Sequence, residues 1–85
     1  MKPGPKFRER TKFNTITAVL LDDEEREFPV EITYDYHLYF GLMNETIVTG
    51  YDFKVNGDPK ISQKDLHLWV KDQIREEERR PVTFF

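Results

Sequence analysis

Strict alternation of apolar and polar side chains over Phe28–Tyr36 constrains the fold more than any other feature of the chain. Five large side chains point to one side of an extended backbone: Phe28, Val30, Ile32, Tyr34 and Tyr36. Four residues point to the other side: Pro29, Glu31, Thr33 and Asp35. Because a strand has a side-chain period of two, the segment is predicted to be a strand with one buried and one solvated face. Such strands are typical of antiparallel sheets covered on one side.

Two further strands are predicted on either side of this one. The first runs from Phe13 to Leu21, and the acidic run Asp22–Arg26 after it is expected to be a solvated turn. A third strand is expected over Thr46–Val55, where Gly50 indicates a bulge or a close backbone contact. The intervening residues His37–Glu45 fit neither period and hold five large apolar side chains, so we expect them to cross over the core.

The C-terminal helix has the clearest boundaries in the sequence. Ser62 is a good N-cap with an acidic residue at N3, and Ile61 and Leu66 stand at the positions of a hydrophobic staple. An apolar stripe follows at helical spacing: Leu66, Trp69, Val70, Gln73 and Ile74. Charged residues 76–80 extend the helix until Pro81 stops it. The predicted fold is therefore α+β: a three-stranded, or four-stranded, antiparallel sheet with one C-terminal helix on one face, in a single domain over residues 13–85.

The composition limits the cellular compartments in which the protein is expected. The chain has 85 residues and no cysteine, which excludes disulfides and cysteine–zinc sites and favours the reducing cytoplasm. The longest apolar run is four residues, Ala18–Leu21, against roughly 20 needed to span a bilayer. No apolar run follows the first basic residues, so no signal peptide is expected. We therefore expect a cytoplasmic protein with no membrane partner.

Charge is distributed unevenly along the chain. Residues 1–12 carry a net charge of +4, and the remaining 73 residues carry −7 within a total of −3. We expect residues 1–12 to form a disordered basic arm, in which an aromatic ring could stack on a base while basic side chains neutralise phosphates. An alternative function is therefore a nucleic-acid-associated accessory factor that binds through this arm. The residues concerned are Lys2, Lys6, Phe7, Arg8, Arg10 and Lys12.

Candidate catalytic residues are sparse. Asp35 and His37 lie two positions apart on a predicted strand, so their side chains project the same way and could form an acid–base pair or share a metal. Further ligands cannot be located, and an exposed ion-pairing face is the simpler interpretation. His67 falls at the edge of the helical stripe, and the four glycines are isolated, so no phosphate-binding loop is indicated. We expect no catalysis, no cofactor and no metal.

Aromatic residues favour binding to another protein. The chain contains seven phenylalanines, four tyrosines and one tryptophan, more than one helix can cover on a small sheet. An uncovered aromatic patch marks an interface, so we expect an adaptor-like or inhibitor-like module that binds another protein, or a second copy of itself, through a sheet face, an edge strand or the C-terminal tail. The tail either folds back onto the sheet or inserts into a partner. The residues expected at this interface are Tyr34, Tyr36, Tyr39, Phe40, Phe84 and Phe85.

Overall fold

The computed structural model describes residues 11–85 as one sheet and one helix. The elements in chain order are β1 (Lys12–Leu21), β2 (Glu27–Phe40), β3 (Asn44–Val55), α1 (Gln63–Glu78) and β4 (Val82–Phe84). The four strands lie in the order β1-β2-β3-β4 within a single sheet. The predicted α+β class with one C-terminal helix is confirmed.

The fourth strand makes the sheet mixed rather than purely antiparallel, which corrects the predicted strand direction. β4 pairs parallel to β3, with Thr46 opposite Val82 and Val48 opposite Phe84. The direction follows from the connection, because α1 carries the chain back along the sheet before β4 begins, as in any β–α–β unit. The tail thus folds back onto the sheet, and the Phe85 backbone N–H donates to the Val48 carbonyl at 2.9 Å.

A long hairpin replaces the segment that was expected to cross the core. β2 continues to Phe40, β3 begins at Asn44, and only residues 41–43 connect them. The ladder runs without interruption from His37 opposite Ile47 to the end of the hairpin. The prediction for His37–Glu45 was wrong because it assumed that large apolar side chains must be buried. Here they lie on a hairpin that leaves the core, and from residue 39 to residue 44 every residue is exposed, so alternation in burial is lost.

Gly50 marks a bulge, which is one of the two features that the sequence indicated at this position. Asp35 pairs with Gly50, but the next residue of β2, Tyr36, pairs with Val48, so Thr49 is the extra residue on β3. The pairing skips Thr49. Val48, before the bulge, and Tyr51 and Phe53, after it, therefore have their side chains on the same face of the sheet. The bulge therefore lets β3 contribute to the core on both sides of Gly50.

The core lies between α1 and one face of the sheet. Its fully buried apolar residues are Leu20, Val30, Ile32, Tyr34, Val48, Leu66, Val70 and Ile74. The face of β2 predicted to be buried is the one that packs against the helix, with Phe28 and Tyr36 partly buried at its ends. Burial of each branched aliphatic side chain contributes roughly 1.5–3 kcal/mol, so these few residues supply most of the stabilisation of a small domain.

Both ends of α1 are capped. The Asp65 backbone N–H donates to Ser62 Oγ at 3.1 Å, which confirms the predicted N-cap. At the other end Arg79 adopts a left-handed conformation (φ 56°), and its N–H donates to the Arg75 carbonyl. The helix thus ends at Glu78, three residues before Pro81, and residues 79–80 do not continue it.

Asp22 organises the turn between β1 and β2. The sequence predicted a solvated turn here, but the Asp22 side chain is buried. Its carboxylate accepts backbone N–H bonds from Glu24, Arg26 and Lys60, each at 2.9 Å, and contacts the Arg26 guanidinium. Burial alone would raise the pKa of the carboxyl, but these donors together lower it to about 2. Asp22 therefore joins the β1–β2 turn to the segment that leads into α1.

Candidate protein-binding surface

The end of the β2–β3 hairpin presents large apolar side chains to solvent. We call residues Tyr39–Met43 the hairpin tip. Four of its side chains are more than half exposed: Tyr39 (56%), Phe40 (67%), Leu42 (fully) and Met43 (58%). Single exposed apolar residues are ordinary, but four within five consecutive residues favour a binding site.

The hairpin tip is held by regular backbone structure. Strand pairing continues to Phe40 opposite Asn44, the last residues before the turn. Gly41 allows the Tyr39 ring to lie close to the turn, since a Cβ at Gly41 would be 3.1 Å from a Tyr39 ring carbon. A surface that is ordered before binding loses less conformational entropy when a partner docks. Tyr39 and Phe40 are thus held by strand pairing, and Leu42 and Met43 lie in the three-residue bend that joins the two strands.

Tyr34 is not accessible to a partner, in contrast to its predicted place at the interface. Only 1% of the residue is exposed, and its hydroxyl donates to the Glu78 carboxylate and accepts from Asn14 Nδ2 at 3.1 Å. Glu78 also accepts from Thr46 Oγ1 at 3.0 Å. Burial, and then the bond to Glu78, raise the pKa of Tyr34 well above its usual range. Tyr34 therefore ties the end of α1 to the sheet.

The other predicted interface residues lie in three different places. Tyr36 is half-buried, with its ring centroid 5.4 Å from that of Tyr34. Phe84 packs edge-on against Tyr51 (6.2 Å between centroids), with the Lys71 ammonium and the Arg75 guanidinium over its ring. Phe85 is 91% exposed beside β3. The structure therefore groups Tyr39 and Phe40 and separates them from the tail.

Leu42 and Met43 belong to the same surface, although the sequence interpretation assigned them to a segment over the core. The signal that could have identified them is the uncharged run from Leu38 to Asn44, centred on Gly41. A glycine between two β-rich segments is typical of a hairpin turn, and turns project from a sheet.

Of the six residues predicted to contact nucleic acid, only Lys12 lies within the described part of the chain. Lys2, Lys6, Phe7, Arg8 and Arg10 lie outside the described residues. Lys12 is the first residue of β1 and pairs with Tyr36, so it belongs to the sheet rather than to the predicted arm. Binding through these residues stays a prediction.

The histidines occupy unrelated positions. His37 is half-buried on the same face of β2 as Asp35, but across residues 11–85 no group of three or more His, Cys, Asp or Glu side chains could hold a metal ion. The His67 ring stands edge-on to Phe53 and Tyr51, and its Nδ1 lies 2.7 Å from the Tyr51 hydroxyl. His67 thus joins α1 to the aromatic end of β3, which is a packing role.

Comparison of the chain with models of protein families, with curated proteins and with solved structures finds no match. Within the described range 11–85, no helix has the length and apolar character required to cross a membrane.

Proposed function

We propose that the protein is a non-catalytic interaction module that docks the hairpin tip into an apolar groove of another protein. The observation that carries this proposal is the group of four exposed apolar side chains at the end of a paired hairpin. The end of a two-stranded hairpin cannot enclose a small molecule, so its complement is a concave surface of a partner. Aromatic side chains that fill pockets of a partner dominate the binding energy of many interfaces, and Tyr39 and Phe40 have this chemistry.

Charge favours a protein groove over a lipid surface. Between residues 35 and 55 the hairpin carries Asp35, Glu45 and Asp52 but a single lysine, Lys54. Apolar segments that dock on anionic membranes are usually flanked by basic residues, which the acidic leaflet attracts. An acidic hairpin is repelled by such a surface, whereas an apolar groove with a neutral or basic rim accepts it.

Photo-crosslinking tests the proposal in cells that express the protein, with a photo-reactive amino acid in place of Leu42. Glu77, exposed on α1 well away in sequence from the hairpin, is the matched control position. We expect a discrete protein adduct from position 42 and not from position 77, and direct binding of the purified partner to the intact protein. Equal adducts from both positions would contradict the proposal. Binding of the purified protein to phosphatidylserine vesicles that depends on Leu42 would indicate a membrane surface instead.

The charge division of the sequence supports a second candidate function, which is nucleic-acid binding through residues 1–12. Four of the five basic residues in this segment precede β1, so they can be removed without removing a strand. Basic side chains release counterions from phosphates without regard to base sequence. This function uses a different part of the chain from the hairpin tip and is tested separately below.

A further inference from the structure

β1 forms an edge of the sheet and presents free backbone groups. Within residues 11–85 it pairs with β2 alone. The Asp22 N–H donates to the Arg26 carbonyl at 3.1 Å, which places this pair in the hydrogen-bonded set of the ladder. Because hydrogen-bonded pairs alternate in antiparallel sheets, even-numbered residues of β1 bond to β2. The odd-numbered residues direct their N–H and C=O groups outward: Phe13, Thr15, Thr17, Val19 and Leu21.

Two contacts confirm this assignment. Pro29, opposite Val19, has no N–H to give to β1, and its carbonyl accepts from Asn56 on the β3 side. The Thr15 N–H bonds to the Asn14 side-chain oxygen at 3.0 Å instead of to a neighbouring strand. The outward edge of β1 is therefore a row of backbone donors and acceptors that face away from the sheet.

Among the described residues, β1 after Lys12 lacks the usual protection of an edge strand against pairing. Residues 13–21 contain no charge, no proline and no glycine. The ladder with β2 is continuous over ten pairs, from Lys12 opposite Tyr36 to Leu21 opposite Glu27, so no bulge twists the edge away. Natural edge strands are normally guarded by lysine, proline, a bulge or short length. The opposite edge strand, β4, has three residues.

We infer that β1 pairs antiparallel with β1 of a second copy, on a two-fold axis through Thr17, to form a continuous eight-stranded sheet. Residues opposite each other in an antiparallel pair have side chains on the same face, so a symmetric pair requires their numbers to sum to an even value. The register centred on Thr17 matches all five outward-facing residues. Thr17 faces its own copy, Thr15 faces Val19, and Phe13 faces Leu21.

The side chains suit this register. Phe13 and Leu21 are each more than half exposed on the face of the sheet opposite α1, and the pairing places one against the other at both ends of the contact. Val19, also more than half exposed, would lie beside Thr15, and aromatic–aliphatic and β-branched pairs of this kind stabilise sheets. The pairing thus covers apolar surface that is solvated in a single copy.

Charge also favours a second copy in the antiparallel direction. Each β1 begins at the basic residue Lys12 and is followed by the exposed acidic residues Asp23, Glu24 and Glu25. Antiparallel pairing brings the start of one strand beside the end of the other, so opposite charges meet at both ends. Parallel pairing would bring like charges together. The chain itself supplies a complementary strand, which is why we prefer a second copy to a foreign one.

Sedimentation of the intact protein over a range of concentrations tests the pairing. We expect a dimer that dissociates on dilution, and Thr17→Lys should raise the dissociation constant at least 100-fold because two lysines would face each other across the axis. Thr49→Lys makes the same substitution at an exposed residue of β3 and should leave the constant unchanged. A monomer at all concentrations, or equal effects of the two variants, would overturn the inference.

Amide hydrogen exchange of the unsubstituted protein tests the register without any variant. The N–H groups of Phe13, Thr17, Val19 and Leu21 should become protected as concentration rises, while those of Ile16 and Ala18 should be protected throughout. Protection of the outward groups that does not depend on concentration would overturn the inference, since another part of the same chain would then cover the edge. A dimer that leaves these amides unprotected would overturn it as well.

Discussion

Glu78 connects three parts of the molecule through one carboxylate. It accepts hydrogen bonds from Tyr34 on β2 and Thr46 on β3, and it is the last residue of α1. Tyr34 and Thr46 are both buried, so the carboxylate satisfies two donors that water cannot reach. This small network fixes where the helix ends relative to the sheet.

Replacement of Glu78 should therefore destabilise the fold. Glu78→Ala removes the acceptor for both donors, and leaving buried donors unpaired costs about 1–3 kcal/mol of unfolding free energy. Glu77→Ala, at the exposed neighbouring position, should change it by less than about 0.5 kcal/mol. Urea denaturation of the two variants measures the difference. Similar unfolding free energies for both would show that the network does not contribute to stability.

Asp22 gives stability a defined dependence on pH. Its pKa is lowered in the folded state to about 2 from 3.8, so folding favours the charged carboxylate. The stabilisation is complete above pH 4 and is lost as the pH falls towards 2, because the unfolded chain takes up the proton first. Asp22→Asn should lower the melting temperature at neutral pH, and its difference from the natural protein should shrink between pH 4 and pH 2.

Thermal unfolding at several pH values measures this effect. Asp58→Asn changes an exposed carboxylate in the loop after β3 and serves as the matched control. A difference between Asp22→Asn and the natural protein that stays constant down to pH 2 would contradict the assigned role of the carboxylate.

At the scale of elements, the hairpin tip and the core have separate energetic roles. Phe40→Ser and Leu42→Ser change exposed residues, so each should alter the unfolding free energy by less than about 0.5 kcal/mol. Ile32→Ala removes a fully buried side chain from β2 and should cost about 2–5 kcal/mol. Chemical denaturation distinguishes the two classes. A large loss from either tip substitution would mean that the tip is part of the core.

The elements also differ in how far their sequence predicts them. Alternation over Phe28–Tyr36 predicted the buried face of β2, and Ser62 predicted the start of α1, because in both cases local chemistry and burial agree. The last residues of β2 could not be predicted, since alternation records a difference in burial between two faces, and neither face is buried at Tyr39 and Phe40. β4 has three residues, too few to carry a period, and its direction depends on where α1 delivers the chain.

Only part of the candidate binding surface could be predicted from the sequence. Tyr39 and Phe40 were expected at an interface because the chain has more aromatic residues than its core needs. Tyr34 was expected there too, but the sequence does not reveal that Glu78, 44 residues later, returns to bond its hydroxyl. Leu42 and Met43 were missed because aliphatic residues in a sequence are usually taken as core. The composition thus predicted that some apolar side chains would be exposed, but it did not predict where they lie in the fold.

For the whole molecule, two candidate binding regions differ in charge: residues 1–12 are basic, and the hairpin tip is uncharged. Each can be tested without changing the other. Deletion of residues 1–10 removes four basic side chains and leaves all of β1. We expect the intact protein to bind single-stranded DNA with an affinity that falls with salt, each neutralised phosphate contributing about −0.7 to the logarithmic slope. The shortened protein should lose this binding, while Lys54→Ala on β3 should retain it.

Fluorescence anisotropy of a labelled oligonucleotide at low and moderate salt provides the measurement. Equal affinities for the intact and shortened proteins would exclude the basic segment as the binding site. The hairpin tip is unchanged in the shortened protein, so its partner should still bind.

The affinity of the purified protein partner for paired variants tests whether the hairpin tip is the docking surface. Phe40→Ser combined with Leu42→Ser should weaken binding at least tenfold, which corresponds to about 1.4 kcal/mol, as measured by calorimetric titration. Leu68→Ser, which makes the same kind of change at a half-exposed leucine of α1, should leave the dissociation constant unchanged. An unchanged constant for the hairpin variant, or equal losses for both, would contradict a docking role for the hairpin tip.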